Sequence, residues 1–313
     1  MEKTIIQKIG TVFDNELYVK REDLIPFSFG GNKVRKAIGF FKEIDGGDYD
    51  SVVTYGSSSS NHCRAVANMA AARGMKCYII SPEEASEETF NSQMMRLFDA
   101  EITVVPVNKV SESIDDILKK LRSHGQKPYF IAGGGHGNIG TAAYVDCYTE
   151  IKDYEKQCGL SFDYIFHASG TGTTQAGLVC GMLLNSDNKK IIGISVARKN
   201  PRGRDVVLSS VKEYLETQKI EIDEKITDKS VIFDDGYISG GYGHSNPEID
   251  TLVEECIKKY GIPLDTTYTG KAFYGMQQYL ANGNISKKNI LFVHTGGTPL
   301  FFEYLKKDEE AVL

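Results

Sequence analysis

The sequence predicts an α/β fold built on parallel sheets, and three observations carry that reading. Strand-like and helix-like segments alternate along nearly the whole chain, glycine- or serine-rich loops fall where strands end, and no repeat or low-complexity tract interrupts the pattern. Ligands in such folds gather at the carboxyl ends of the strands.

The elements follow in order. Leu17-Tyr18-Val19-Lys20 reads as a short strand, Arg21-Glu22-Asp23 with Pro26 as a turn, and Val34, Ala37, Ile38, Phe40 and Phe41 recur at helical spacing. Strands are expected at 51–54, 76–80, 101–105 and 128–132, with helices at 61–73, 91–98, 113–123 and 140–156 between or after them. The second half gives strands at 164–166, 190–196 and 290–293, and helices at 173–184, 205–217, 247–260 and 270–282.

A chain of 313 residues can bury a sizeable core as one large domain or two. Its net charge of −6 and the lack of a basic block argue against nucleic-acid or anionic-membrane binding. No apolar run is long enough to span a bilayer, so a soluble, unexported, cytoplasmic protein is expected. Cys63, Cys77, Cys147, Cys158, Cys180 and Cys256 form no C-x-x-C pair, which argues for reduced thiols and against a zinc site.

Four strand-end loops carry the candidate chemistry. Gly56-Ser57-Ser58-Ser59-Ser60-Asn61 could hold a carboxylate at a helix N-terminus, or be a turn with competing caps. Ala168-Ser169-Gly170-Thr171-Gly172-Thr173-Thr174 follows an apolar strand and opens a helix, the context of a phosphate cradle. It lacks the P-loop lysine, and Gln175 stands where a third glycine would complete G-x-G-x-x-G. Gly133-Gly134-Gly135-His136-Gly137-Asn138 and His294-Thr295-Gly296-Gly297 complete the set. Histidines so placed, with His62, are more often hydrogen-bonded core residues than catalysts.

Lys33, in Phe29-Gly30-Gly31-Asn32-Lys33-Val34-Arg35-Lys36, sits where glycines allow close backbone approach to a ligand and Asn32 could cap a helix. A helix N-terminus would favour anions and depress the pKa of Lys33 and Lys36, making an amine nucleophile. A wet glycine turn with a basic first helical turn fits the same residues.

Lys20-Arg21-Glu22-Asp23, Gly30-Gly31-Asn32-Lys33, Ser60-Asn61-His62, the Thr171–Gly177 loop, Tyr268-Thr269-Gly270-Lys271 and His294-Thr295-Gly296-Gly297 occur in one order across nearly the whole chain. Together they resemble the 1-aminocyclopropane-1-carboxylate deaminase and D-cysteine desulfhydrase family, pyridoxal-phosphate enzymes of fold type II. The resemblance implies that Lys33 is the Schiff-base lysine and that Lys36, Thr171, Gly172, Thr173 and Thr174 hold the phosphate. It puts Asn61 on the cofactor's phenolic oxygen, Ser60 and Tyr242 at the substrate, Tyr268 near the ring, and Thr269 or Thr295 at the pyridine nitrogen. It also implies a homodimer and a small amino-acid substrate.

Within the family, the deaminases resemble Tyr-Glu-Gly-Lys where this chain has Thr269. A neutral threonine offers no counter-charge for a pyridinium, which favours β-elimination from D-cysteine or a related amino acid to pyruvate and ammonia. Ser59-Ser60-Asn61 replaces the usual Gln-Ser-Asn and Gly135-His136-Gly137-Asn138 is also divergent, so a deaminase or a β-replacement synthase stays open. From another class, Gly170-x-Gly172 with Arg198-Lys199 could serve an NADP oxidoreductase. The expected architecture is two three-layer parallel-sheet domains with the cofactor between them. Residues 1–45 plus 150–313 would form the larger, and residues 46–149 a smaller, mobile one.

Overall fold

The computed structural model describes residues 3–310 as two sheets, each covered by helices on both faces. The larger sheet has six strands in the order β1 (Ile6–Val12), β2 (Asn15–Arg21), β10 (Asn289–His294), β7 (Tyr164–Ser169), β8 (Lys190–Ser195) and β9 (Ile232–Asp234). All neighbours run parallel except the β1–β2 hairpin. The second sheet is wholly parallel, ordered β5 (Glu101–Val105), β4 (Lys76–Pro82), β3 (Ser51–Tyr55) and β6 (Pro128–Phe130).

The two-residue period of a strand makes the layers. Phe166, Ile290, Phe292, Ile192 and Ile194 face one core, shared with α9 (Pro247–Tyr260) and α10 (Thr269–Asn282). Their neighbours Ile165, Leu291, Val293 and Ile191 face the other, shared with α5 (Asn138–Cys158), α6 (Thr173–Leu184) and α7 (Arg202–Thr217). With both faces buried, β7 and β10 read as near-continuous apolar runs. In the second sheet Val52, Cys77 and Ile79 pack toward α2 (Asn61–Ala71) and α3 (Phe90–Leu97), while Val53, Tyr78 and Ile80 pack on α4 (Val110–Ser123).

Helix α1 (Asn32–Gly46) links the two sheets' layers. Its Val34, Ala37, Phe40, Phe41 and Ile44 enter the second core. Its polar side reaches the first: Arg35 Nη2 donates to Glu22 Oε1 at 2.8 Å, Arg35 Nη1 to Glu150 Oε1 at 2.8 Å, and the Arg35 Nε–H also meets Glu22. Lys20 joins this buried network through Glu150 Oε2 at 2.5 Å.

The structure departs from the sequence expectations in definite ways. Strand β1 was not expected, because its residues are only partly buried and a bulge near Gly10 breaks the alternation. Strand β9, helix α8 (Glu224–Ser230) and helix α11 (Thr298–Glu310) also had no counterpart. Helix α1 starts one residue early with Gly31 as its cap, and the Asn32 side chain caps nothing, donating instead to Thr174 Oγ1 at 3.1 Å. All six cysteines are free. Among the described residues no helix is long and apolar enough to cross a membrane, and no cluster could hold a metal ion.

Candidate active site

The segments that follow β2, β3, β6, β7, β8 and β10 converge at the carboxyl ends of the strands. The Gly30-Gly31 turn leaves β2 with φ of +60° and +94°, a region that favours glycine. The close approach it permits is to other backbone: a Cβ on Gly30 would stand 2.3 Å from Asp23 O, and one on Gly296 2.6 Å from Gly31 Cα. Asn32 N donates to Thr295 O at 2.9 Å, locking the start of α1 to the end of β10.

Lys33 then projects into an inner cleft lined also by Asn61, Gly170 to Gly172, Thr174, Tyr268 and Thr295. The cleft shares Lys33, Gly170, Thr171 and Tyr268 with an outer cavity of about 320 Å³, which adds Tyr55, Ser60, His62, Arg198 and Tyr242. Among the described residues no aspartate or glutamate lines either space. The Lys33 amine donates to Gly134 O at 3.1 Å. Burial, with the Arg198 charge adding to it, pushes its pKa down to about 8. Desolvation therefore does what the sequence reading assigned to the helix dipole.

Behind the cleft, Lys36 Nζ donates to Thr173 Oγ1 at 2.6 Å and lies over the Tyr144 ring. Burial and the Lys33 charge hold its pKa well below normal, and among the described residues no carboxylate pairs with it. Thr173 opens α6, whose N-cap Gly172 has φ +98°. A buried lysine beside a helix N-terminus, with no counter-ion among the described residues, is chemistry that suits an anion.

Ser60 caps α2, its Oγ accepting from Cys63 N at 3.2 Å, so the serine run resolves into one capping residue at the cavity wall. Asn61 Oδ1 accepts from Asn91 Nδ2 at 3.0 Å, which leaves the Asn61 amide N–H groups free to point elsewhere. Tyr242 and Tyr268 share a hydrogen bond of 2.6 Å between hydroxyls. Lys271 Nζ donates to Val196 O, Ile238 O and Gly241 O at 3.2, 2.9 and 2.5 Å, pinning the loop that carries Tyr242.

Of the sequence candidates, Lys33, Asn61, Thr171, Gly172, Thr174, Tyr268 and Thr295 line the inner cleft, and Ser60 and Tyr242 the outer cavity. Lys36 and Thr173 lie one layer behind. Thr269 is not among the lining residues: its hydroxyl donates to Asp265 Oδ2 at 2.8 Å at the start of α10, and of the pair Thr269 and Thr295 only Thr295 lines the cleft. His294 is a core residue, with Nε2 on Pro263 O at 2.9 Å and Nδ1 accepting from Gly296 N at 3.2 Å. His136 lines a separate surface cleft with Asp205 and Glu213. His62 lines the outer cavity with Nε2 bonded to Thr54 Oγ1 at 2.9 Å, and burial with the two lysine charges keeps it neutral. Asn91, Arg64 and Tyr55 gave no sequence signal for their places around the site, because their contacts join separate segments of the chain.

Comparison with known proteins bears on the family and the fold. The chain is 29% identical to D-cysteine desulfhydrase of Serratia proteamaculans (strain 568), covering 96% of this chain and 93% of that protein. It superposes on the crystal structure of an ACC deaminase homologue with a TM-score of 0.88 at 29% identity, covering 99% of this chain and 94% of the other. A hydrogen sulfide-producing enzyme of Fusobacterium nucleatum shares the fold, with a TM-score of 0.64 at 20% identity over 94% of this chain and 95% of that one. The dinucleotide reading of Gly170-x-Gly172 gives way accordingly. With a family match over residues 4–296, the chain belongs to the pyridoxal-phosphate dependent enzymes.

Proposed function

We propose that this protein is a pyridoxal-phosphate-dependent lyase that eliminates the β substituent of a small amino acid, most like a D-cysteine desulfhydrase. The observation that carries it is Lys33: a desolvated amine at the junction of a cleft suited to the cofactor and a cavity suited to a substrate.

The residues present fit the cofactor. Lys36, buried with only the Thr173 hydroxyl for a partner, and the start of α6 meet the needs of a phosphate dianion. Asn61, its carbonyl occupied by Asn91, offers N–H groups to a phenolic oxygen. The Thr295 hydroxyl offers a neutral partner for the pyridine nitrogen, and Tyr268 an aromatic wall. When bound, the cofactor supplies the electron sink for the α-carbanion.

Lys33 carries the rest of the chemistry. An amine with a pKa of about 8 takes the α-proton near neutral pH and returns it without a large energetic penalty. Ser60 and the N-terminus of α2 receive the substrate α-carboxylate. The β substituent departs into the outer cavity beside the Tyr242–Tyr268 pair, and the enamine product hydrolyses to pyruvate and ammonia. A neutral hydroxyl at the pyridine nitrogen suits this elimination better than cyclopropane opening. Residues 46–149 as a smaller body closing over the substrate, and assembly as a cytoplasmic homodimer, belong to the same proposal.

Purified protein tests it. A visible absorption band that borohydride bleaches while fixing the cofactor covalently to the chain, and that Lys33→Ala abolishes, is the expected result, as is pyruvate release from one enantiomer of cysteine, serine or β-chloroalanine. Colourless protein after incubation with the cofactor would refute the Lys33 assignment, and absence of pyruvate from all of these would refute the lyase. Pyruvate-free turnover of 1-aminocyclopropane-1-carboxylate, or adduct formation with an added thiol, would move it to the deaminase or the synthase.

A further inference from the structure

Arg198 has no role in the chemistry above, yet its position is specific. It follows β8 in a turn fixed by Ser195, whose Oγ donates to Arg198 O at 2.6 Å and accepts from Ala197 N at 3.3 Å. The side chain lines the outer cavity with Lys33, Ser60 and Tyr242, and its Nη1 is buried without a hydrogen-bond partner. No ion pair to Arg198 exists among the described residues, and Arg202 lies near enough to disfavour its charge further, after burial itself. A buried guanidinium nitrogen left unpaired is costly unless a ligand pairs with it.

The cavity supplies no such partner, since no carboxylate among the described residues lines it. The cofactor phosphate does not either, because Arg198 is absent from the inner cleft where Lys36 and the glycine loop converge. Under the proposed lyase reading, on which this rests, the substrate α-carboxylate goes to Ser60 and α2. One cation is left over, on the side where the β substituent leaves.

We propose that Arg198 determines specificity by receiving an oxyanion on the β substituent, so that the preferred substrates are amino acids bearing a β-sulfonate, sulfate ester or phosphate ester. The planar guanidinium suits such groups through paired N–H donors. In the elimination the Cα–H proton passes to Lys33, the bond from Cβ to the leaving atom breaks, and its electron pair goes with the leaving group. That group gains one negative charge, so the Arg198 contact strengthens as the bond breaks. For serine O-sulfate the balance is substrate plus water giving pyruvate, ammonium, sulfate and one proton.

The test compares kcat/KM of the holoenzyme for both enantiomers of serine O-sulfate, O-phosphoserine and the neutral O-acetylserine, with β-chloroalanine as reference. Serine O-sulfate or O-phosphoserine should exceed O-acetylserine at least tenfold. In Arg198→Gln the ratio of the anionic ester to β-chloroalanine should fall about 10- to 150-fold, the range expected for one charged hydrogen-bonded contact, with partial recovery in Arg198→Lys. Equal losses on charged and neutral substrates, or no preference in the wild type, would overturn the assignment while leaving the lyase intact. Inorganic sulfate supplies a readout independent of turnover: it should raise the Tm of wild-type holoenzyme more than that of Arg198→Gln. If no substrate yields pyruvate, equal sulfate shifts in the two proteins would refute the Arg198 site separately from the lyase.

Discussion

Asn91 Nδ2 donates to Asn61 Oδ1 at 3.0 Å, and Asn91 also donates to Ser59 O at 2.8 Å. One fully buried side chain on α3 thus sets both the amide orientation of Asn61 and the backbone of the serine loop. Asn91→Leu should lower stability by about 1–3 kcal/mol through the acceptors it strands. It should also weaken cofactor binding, read as a right-shifted absorbance titration, beyond what Asn91→Asp does. A titration identical to wild type would show that Asn61 orients itself.

Lys36 makes a prediction of opposite signs. Lys36→Met removes a buried cation that has only a hydroxyl for a partner, so the cofactor-free protein should become more resistant to urea. The same substitution should weaken cofactor binding about 10- to 150-fold, the equivalent of one charged hydrogen-bonded contact. Loss of both properties together would assign Lys36 to the core instead.

The Lys33 amine is held at about 8 against an ordinary 10.5, so the unfolded chain binds its proton more tightly than the folded one. Stability of the cofactor-free protein should therefore rise as pH increases from about 8 to 10.5, with the penalty fully present below that window. Lys36 and Lys271, also depressed by burial, act in the same direction. Thermal melts across the window should show a shallower slope in Lys33→Met, and a slope unchanged by that substitution would contradict the burial of the amine.

Burial alone would raise the Glu22 carboxyl, but Arg35 and Lys20 more than offset it and hold the pKa at about 2. Its contribution is present above the ordinary value of 4.5 and is lost as pH falls from there toward 2. Glu22→Gln leaves Arg35 partly uncompensated and should cost about 3–5 kcal/mol at neutral pH. The difference from wild type should shrink at pH near 3, measured by urea unfolding at both values.

Much of this was legible in the sequence because it is local. The apolar runs that give β3, β4, β7 and β10 span five to seven residues, and the glycine loop that opens α6 is as short. What escaped depends on partners far away in the chain. β2 pairs with β10 across almost the whole sequence, and nothing in either strand names the other. Thr269 and Thr295 were indistinguishable as sequence, and only Asp265, which engages the Thr269 hydroxyl, separates them. Arg198 stood out beside a glycine motif and suggested a dinucleotide phosphate, whereas the fold turns it toward Lys33.

The missing carboxylates in the active-site lining bear on how ligands arrive. The chain carries a net charge of −6, yet it places Lys33 and Arg198 in one recess, with Lys36 directly behind it. Walls of low polarizability focus that field outward through the mouth of the cavity. Capture of an anionic cofactor or substrate should accordingly slow with added salt. Escape, governed by contacts inside the recess, should barely respond.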